Sequence, residues 1–212
     1  MALTLKDLNI FKGSALLLSL DVTVKDGEIL TVMGPSGSGK STLLQAIAGH
    51  LEAPFSFTGS ISIDGTDLAN KPPHLRGVGF MFQDALLFEH MTVEQNILFA
   101  MPGAKYQTNA IKREAVAKLL EAVELEGMQD RAVTTLSGGQ QSRISLLRTL
   151  AAEPRAVLLD EPFSKLDAAL REQIREWTFT QLRERNIPSL LVTHDEADAV
   201  SAGGQIVELL SC

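Results

Sequence analysis

The segment Gly34-Pro35-Ser36-Gly37-Ser38-Gly39-Lys40-Ser41 constrains the fold more than any other stretch of the chain. An apolar run, Ile29-Leu30-Thr31-Val32-Met33, precedes it, and Ser41-Thr42-Leu43-Leu44 opens a helical pattern after it. The order strand, glycine loop and helix is typical of a phosphate-binding loop, because glycines let backbone N–H groups converge on phosphate oxygens. Lys40 can then reach the β- and γ-phosphates of a nucleotide, and Ser41 can ligate Mg²⁺. The alternative, a chance match, is expected in roughly one chain of this size in a hundred or fewer.

Length and composition favour one globular domain. The chain has 212 residues, of which 45% are hydrophobic and 21% charged. Its formal net charge of −7 argues against a nucleic-acid partner, since such proteins present positive faces. Cys212 is the single cysteine, so an intrachain disulfide is excluded. No apolar run has the length needed to span a bilayer, and we expect a soluble or peripheral protein.

The chain alternates between sheet and helix patterns in a way that predicts an α/β fold. Residues 1–33 alternate apolar and polar side chains, which predicts short, largely antiparallel strands. Strands then alternate with helices, which favours a mainly parallel sheet. We expect a single domain with a nucleotide-binding core at residues 1–83 and 154–212.

A helical lobe is predicted to interrupt this core at residues 84–153. Thr92 can cap one helix, and Thr108 or Asn109 can start a second that runs to about Leu125. The second helix is predicted to place one apolar row against its neighbours, formed by Ile111, Ala115, Leu119 and Val123.

Three predicted strands end in polar groups, namely Gln83, the pair Asp160-Glu161, and His194. The carboxyl ends of parallel strands share one edge of a sheet, so these groups should meet the phosphates there. Asp160 follows four apolar residues and can hold Mg²⁺, whereas Glu161 can orient and deprotonate a water that attacks the γ-phosphate. Such a base supplies about 10²–10⁴ in rate. The alternative for adjacent acids is a solvated turn.

A second glycine-bearing turn, Leu136-Ser137-Gly138-Gly139-Gln140, opens another helix and could form a second anion-binding nest. One nucleotide does not need two such nests. Either the lobe folds back on its own phosphate loop, or the second nest serves the nucleotide of another subunit, or the turn is a helix start without a ligand.

The complete set of motifs resembles the ATP-binding cassette family, the ATPase subunits of ABC transporters. Residues 34–41 match its P-loop, Gln83 its Q-loop glutamine, residues 136–140 its signature, and residues 156–161 its Walker B motif with the catalytic glutamate. Ser164-Lys165-Leu166-Asp167 matches the D-loop and His194 the switch histidine. These motifs occur in the family's order and cover nearly the whole chain.

The resemblance implies a head-to-tail homodimer that binds two ATP molecules with Mg²⁺. Each ATP would lie between residues 34–42 of one copy, including Thr42, and Ser137, Gly138, Gly139 and Gln140 of the other. Gln83 would contact the metal together with Ser41 and Asp160, His194 would hold the γ-phosphate, and Asp167 would cross the interface. Phe11 falls where the family usually has a tyrosine that stacks on adenine.

Residues 82–88 and 91–97 resemble small bacterial importer cassettes for thiamine, ferric iron or polyamines. The resemblance therefore implies transmembrane permease partners that dock at residues 84–100, a substrate-binding protein that acts indirectly, and a place on the inner face of the cell membrane. Two alternatives stay open: a soluble cassette in DNA repair or translation, and a cassette for export or lipoprotein release. Lys165 departs from the family, which commonly has a small residue at that position.

Overall fold

The computed structural model describes residues 1–103 and 108–209. It contains a four-stranded sheet with the order β2-β1-β4-β5 and a five-stranded sheet with the order β6-β7-β8-β3-β9. The strands are β1 (Leu3–Lys12), β2 (Ala15–Val24), β3 (Ile29–Met33), β4 (Phe55–Ile63), β5 (Thr66–Asp67), β6 (Val78–Met81), β7 (Ala156–Asp160), β8 (Ser189–Val192) and β9 (Ile206–Glu208). The helices are α1 (Lys40–Ala48), α2 (Val93–Ala100), α3 (Asn109–Glu121), α4 (Gly138–Ala151), α5 (Ala168–Glu184) and α6 (Glu196–Ala202). The predicted α/β class is confirmed.

The five-stranded sheet is parallel and lies between two apolar layers. Alternate residues of a strand face opposite sides of its sheet. Accordingly, Val157 and Leu159 of β7 join a cluster with α2, α3, α4 and α5. Leu158, between them, joins a second cluster with α1 and the antiparallel sheet. This double burial explains the unbroken apolar run of β7 in the sequence.

Parallel pairing aligns the ends of four strands at one edge. β3 pairs with β8, β8 with β7, and β7 with β6, all in parallel. The loop after β3, Gln83 after β6, Asp160 at the end of β7 and His194 after β8 therefore lie on the same side of the sheet, as the sequence predicts.

Helix α1 is fixed at both ends. It begins directly after the glycine loop, with Gly39 in a left-handed conformation. At its other end, the guanidinium of Arg76 donates hydrogen bonds to the carbonyls of Ala46 and Ile47 at 3.0 and 2.8 Å. A cation stabilises a helix C-terminus, where carbonyls are otherwise unpaired. This contact holds the helix that carries Lys40 and Ser41.

Segment 84–153 contains α2, α3 and α4, which pack on the same apolar cluster as α5. Thr92 caps α2 with a reciprocal capping box, and Thr108 caps α3, as predicted. The predicted face of α3 is correct in part: Ala115 and Leu119 pack against the apolar cluster and Val123 is buried in it, but Ile111 is exposed. The buried residues within α3 are Val116 and Leu120, and the helix ends at Glu121 rather than near Leu125.

Within the described ranges, we find no helix that combines the length and the apolar character needed to cross a membrane.

Candidate active site

A cavity of about 670 Å³ opens at the carboxyl edge of the parallel sheet. Its walls combine residues of the glycine loop and α1, the polar ends of three strands, and three residues of the antiparallel sheet. They are Lys12, Leu17, Ser36, Gly37, Gly39, Lys40, Ser41, Thr42, Phe55, Gln83, Asp160, Glu161 and His194. The structure thus brings together the groups predicted at the strand ends and the phosphate-binding loop.

The glycine loop leaves donors that a phosphate could use. A side chain at Gly34 would meet the carbonyl of Leu209 at 2.7 Å and Ser38 Oγ at 2.9 Å, so only glycine fits there. The Lys40 ammonium donates to the carbonyls of Gly34 and Pro35 at 2.7 and 2.8 Å. The hydroxyl of Ser38 is buried and has no hydrogen-bond partner within the described residues. A phosphate oxygen would satisfy this hydroxyl and take up the lysine's remaining donor.

Asp160 and Ser41 form an oxygen-rich corner of the cavity. Burial raises the pKa of the Asp160 carboxyl, whereas a hydrogen bond from Ser41 lowers it and the charge of nearby Lys40 lowers it further. A carboxylate, a hydroxyl and the Gln83 amide are the donors that Mg²⁺ prefers. Within the described part of the chain, no group of three His, Cys, Asp or Glu residues could hold a metal ion. A metal at this corner would therefore need further oxygens from a nucleotide and water.

Glu161 lies between the other two strand ends. Gln83 Nε2 donates to its Oε2 at 3.0 Å, and Nδ1 of His194 lies 3.0 Å from its Oε1. The backbone of Glu161 has φ +46°, a strained value for a residue with a side chain. Its N–H donates to the carbonyl of Val192 at 2.9 Å, which fixes this turn against β8. The carboxylate is thus positioned by backbone as well as by side-chain contacts.

Residues 137–140 do not line this cavity. Ser137 Oγ accepts the N–H of Gln140 at 3.3 Å, and Gln140 Oε1 accepts the N–H of Ser137 at 3.0 Å, forming a capping box at the start of α4. Ser137 and Gly138 are exposed. The lobe therefore does not fold this nest back onto the phosphate loop of its own chain.

The aromatic wall of the cavity is Phe55, not Phe11. Lys12 pairs with Phe55 across β1 and β4, and both line the cavity. Phe11 precedes Lys12 and is not among the lining residues, because neighbouring residues of a strand point to opposite faces. Leu17 also lines the cavity and packs so closely on Gly39 that a side chain there would lie 2.8 Å from it. The cavity geometry therefore does not support the expected role of Phe11.

Comparison with known proteins agrees with this geometry. The family described as ABC transporter matches residues 17–164, from the second strand to the turn after Glu161. The chain belongs to this family. It is an ABC transporter ATP-binding subunit. The matched region of this ABC ATPase contains the glycine loop, the nest at residues 137–140 and Glu161, whereas His194 lies 30 residues after its end.

Two curated relatives illustrate the family. The ABC ATPase is 46% identical over 196 residues to the uncharacterized ABC transporter ATP-binding protein YnjD of Escherichia coli K12, covering 92% of this chain and 89% of the relative. It is 44% identical over 190 residues to the sulfate/thiosulfate import ATP-binding protein CysA of Mycobacterium tuberculosis H37Rv, covering 90% of this chain. The chain spans about half of that relative's length, since the match covers 53% of it.

Solved structures confirm the fold. The dimeric bacterial ABC transporter cassette MJ0796 superposes with a TM-score of 0.83 at 29% identity, covering 98% of this chain and 94% of the other. Its post-hydrolysis dimer with bound ADP and Pi superposes with a TM-score of 0.82 at 29% identity and the same coverage. The dimeric state and the bound ADP and Pi are those of MJ0796. Together with the family match, they agree with ATP binding and hydrolysis by the ABC ATPase.

Proposed function

We propose that two copies of this ABC ATPase close on two ATP molecules and use their hydrolysis to drive solute import through membrane permease subunits. The observation that carries the proposal is the position of Glu161 between Gln83 and His194, on the cavity that also contains Lys40. A base, a γ-phosphate sensor and a phosphate-binding cation in one cavity support phosphoryl transfer to water.

Each side chain in the cavity has its own role in hydrolysis. The ammonium of Lys40 directs its remaining donor at a phosphate oxygen and stabilises the charge there. Glu161 accepts a proton from the attacking water once one of its oxygens is released. That release occurs when His194 and Gln83 turn from Glu161 toward the γ-phosphate of a bound nucleotide. In this way the base becomes available when its substrate is in place.

Ser41, Asp160 and Gln83 would hold Mg²⁺ at the oxygen-rich corner. When bound, this ion supplies charge neutralisation for the phosphates. The raised pKa of buried Asp160 supports the assignment, because a carboxylate that is costly to ionise alone gains from a cation.

The second half of each ATP site is proposed to come from the other copy. Ser137 and Gly138 stand exposed at the start of α4 and outside the cavity of their own chain. A helix N-terminus with free N–H groups attracts anions. The dimeric cassettes of similar fold support a self-association of this kind. Asp167, expected at the interface, caps α5 by accepting the N–H of Leu170 at 3.1 Å.

The permease is proposed to dock on the exposed apolar residues of segment 84–100. The side chains of Leu86 and Phe99 are 59% and 65% exposed, and Phe88 packs edge-on against Phe99. An exposed apolar patch of this kind marks an interaction surface. The printed role of the CysA relatives in sulfate/thiosulfate import supports import as the direction. This docking would place the ATPase at the inner face of the membrane, where ATP is available.

Replacement of Glu161 by Gln tests the catalytic part. We expect Glu161→Gln to keep ATP binding, to lose at least about 10²-fold in turnover, and to form an ATP-bound dimer detectable by light scattering. Wild-type protein with ADP is the matched control and should remain monomeric. Turnover by the variant at near wild-type rates would remove Glu161 from the role of base.

Purification with native partners tests the transport part. Co-purification of a permease and stimulation of turnover on reconstitution with it would support a transporter. Uptake and efflux assays in vesicles then separate import from export. Recovery with ribosomes or DNA, without a membrane protein, would support the soluble alternative instead.

A further inference from the structure

Glu161 belongs to a closed ring of contacts. Its carboxylate accepts from Gln83 at 3.0 Å, and its backbone carbonyl accepts from the hydroxyl of Ser164 at 2.9 Å. The residues that follow these two partners are joined as well, since Lys165 Nζ donates to Asp84 Oδ1 at 2.8 Å. The ring therefore runs from Glu161 through Gln83 and Asp84 to Lys165 and Ser164, and back.

In this ring neither carboxylate oxygen of Glu161 is without a partner. One oxygen is occupied by Gln83 and the other lies against His194. A general base needs an oxygen directed at the proton that it takes up. Departure of Gln83 would therefore free the position at Oε2 for a water.

The segment that carries Gln83 is held in place by two cations. Arg148 of α4 donates to the carbonyls of Ala85 and Leu86 at 3.2 and 3.0 Å. Lys165 holds the carboxylate of Asp84 directly beside Gln83, and this contact lowers the pKa of Asp84. Of the two cations, Lys165 is the one that binds the residue directly after Gln83, whose amide contacts Glu161. It also comes from the turn whose first residue is Glu161.

We propose that the Lys165–Asp84 ion pair is a latch that holds Gln83 on Glu161 and restrains ATP turnover until bound nucleotide draws Gln83 away. Lys165 and Asp84 are positioning residues, because they act on Glu161 through Gln83. The proposal rests on the assignment of Glu161 as the base. It predicts that loss of either charge favours the state in which Glu161 is free.

The expected change in kcat on breaking the ion pair depends on how exposed the two side chains are. The side chain of Asp84 is 83% exposed and that of Lys165 is 38% exposed, so water screens the pair. Exposed ion pairs shift an equilibrium by about 1.5- to 5-fold. Lys165 belongs to neither apolar cluster, so its side chain is not needed for core packing. Removal of the side chain should therefore leave the fold intact.

Kinetics of single and double variants test the latch. Lys165→Ala and Asp84→Ala should each raise kcat for ATP by about 1.5- to 5-fold with KM unchanged. The double variant should show no additional increase, because both changes break one contact. The reversed pair, Lys165→Asp with Asp84→Lys, should restore the low rate. Lys6→Ala, at an exposed lysine of β1 outside the cavity, is the matched control and should leave kcat unchanged.

Salt provides a second readout. Wild-type kcat at saturating ATP should rise between low and physiological ionic strength as the pair is screened, whereas kcat of Lys165→Ala should not respond in this way. Unchanged or lowered kcat in both single variants, or failure of the reversed pair, would overturn the latch. Absence of turnover in the wild type, or normal turnover by Glu161→Gln, would instead overturn the assignment of the base. The two failures are therefore distinguishable.

Discussion

The Nδ1 atom of His194 lies 3.0 Å from a carboxylate oxygen of Glu161, although each residue follows a different strand. Two ion pairs join the segment after His194 to α5. Arg171 pairs with Asp195 at 2.9 Å, and Arg175 pairs with Asp198 at 3.2 Å. The histidine is therefore presented by a rigid turn, while its own side chain stays accessible to a ligand.

Replacement of His194 by Ala should lower kcat by about 10²-fold or more, since removal of one preorganised donor to a transition state has an effect of this order. His194→Gln, which keeps a donor at a similar distance, should retain more activity. Single-turnover hydrolysis measures the chemical step. A loss in His194→Ala that appears only as a raised KM would contradict a role at the γ-phosphate.

Phe55 should contribute to base binding, whereas Phe11 should not. Stacking of a base on an aromatic side chain is worth about 1–3 kcal/mol by alanine substitution. Phe55→Ala should therefore weaken ATP binding by about fivefold or more, and Phe11→Ala is the matched control on the same sheet. Titration with a fluorescent ATP analogue measures both. Weakened binding in Phe11→Ala alone would restore the assignment implied by the family resemblance.

Complementation between copies should reveal the composite site. Lys40→Ala lacks the phosphate cation, and Ser137→Arg blocks the nest that would face the partner's ATP. Each variant alone should be inactive. An equal mixture should recover up to about a quarter of wild-type turnover, because half of the dimers then contain one intact site. No recovery, with both variants folded, would contradict a site shared between copies.

The local parts of the site could be predicted from the sequence. The run Ile29–Met33, the glycine loop and α1 follow one another without a gap, so propensity and tertiary contacts agree there. The strand ends Gln83, Asp160 and His194 were also correctly placed at one edge, because parallel topology leaves no other arrangement.

Features set by register or by distant pairing could not be predicted. Which aromatic lines the cavity depends on the pairing of Lys12 with Phe55, and no pattern within β1 specifies that register. The sequence of α3 offers two apolar rows, and only packing against its neighbours selects Val116 and Leu120. The pair Asp84–Lys165 joins residues that are 81 positions apart, and neither residue carries a local signal for it.

Arg175 should stabilise the fold, and its contribution should depend on pH. The side chains of Arg175 and Asp198 are only 12% and 5% exposed. Burial raises the pKa of Asp198, while hydrogen bonds from Arg175 and Thr193 lower it in part. Loss of Arg175 would leave a buried carboxylate unpaired, which costs about 3–5 kcal/mol of unfolding free energy.

The sign of the pH effect follows from linkage. Because the pKa of Asp198 is raised in the folded chain, its contribution to stability is complete below the unfolded pKa and declines as pH rises through the folded pKa. Removal of Arg175 raises the pKa of Asp198 further. In the variant, Asp198 therefore becomes protonated and loses its unpaired charge at a higher pH than in the wild type. The loss of unfolding free energy in Arg175→Ala, measured by urea unfolding without nucleotide, should therefore be largest near neutral pH and shrink as pH falls.

The double variant Arg175→Met with Asp198→Leu is the control, because it removes both charges. Its unfolding free energy should lie closer to that of the wild type at neutral pH. A deficit that grows on acidification would show that Asp198 is not the group left unpaired.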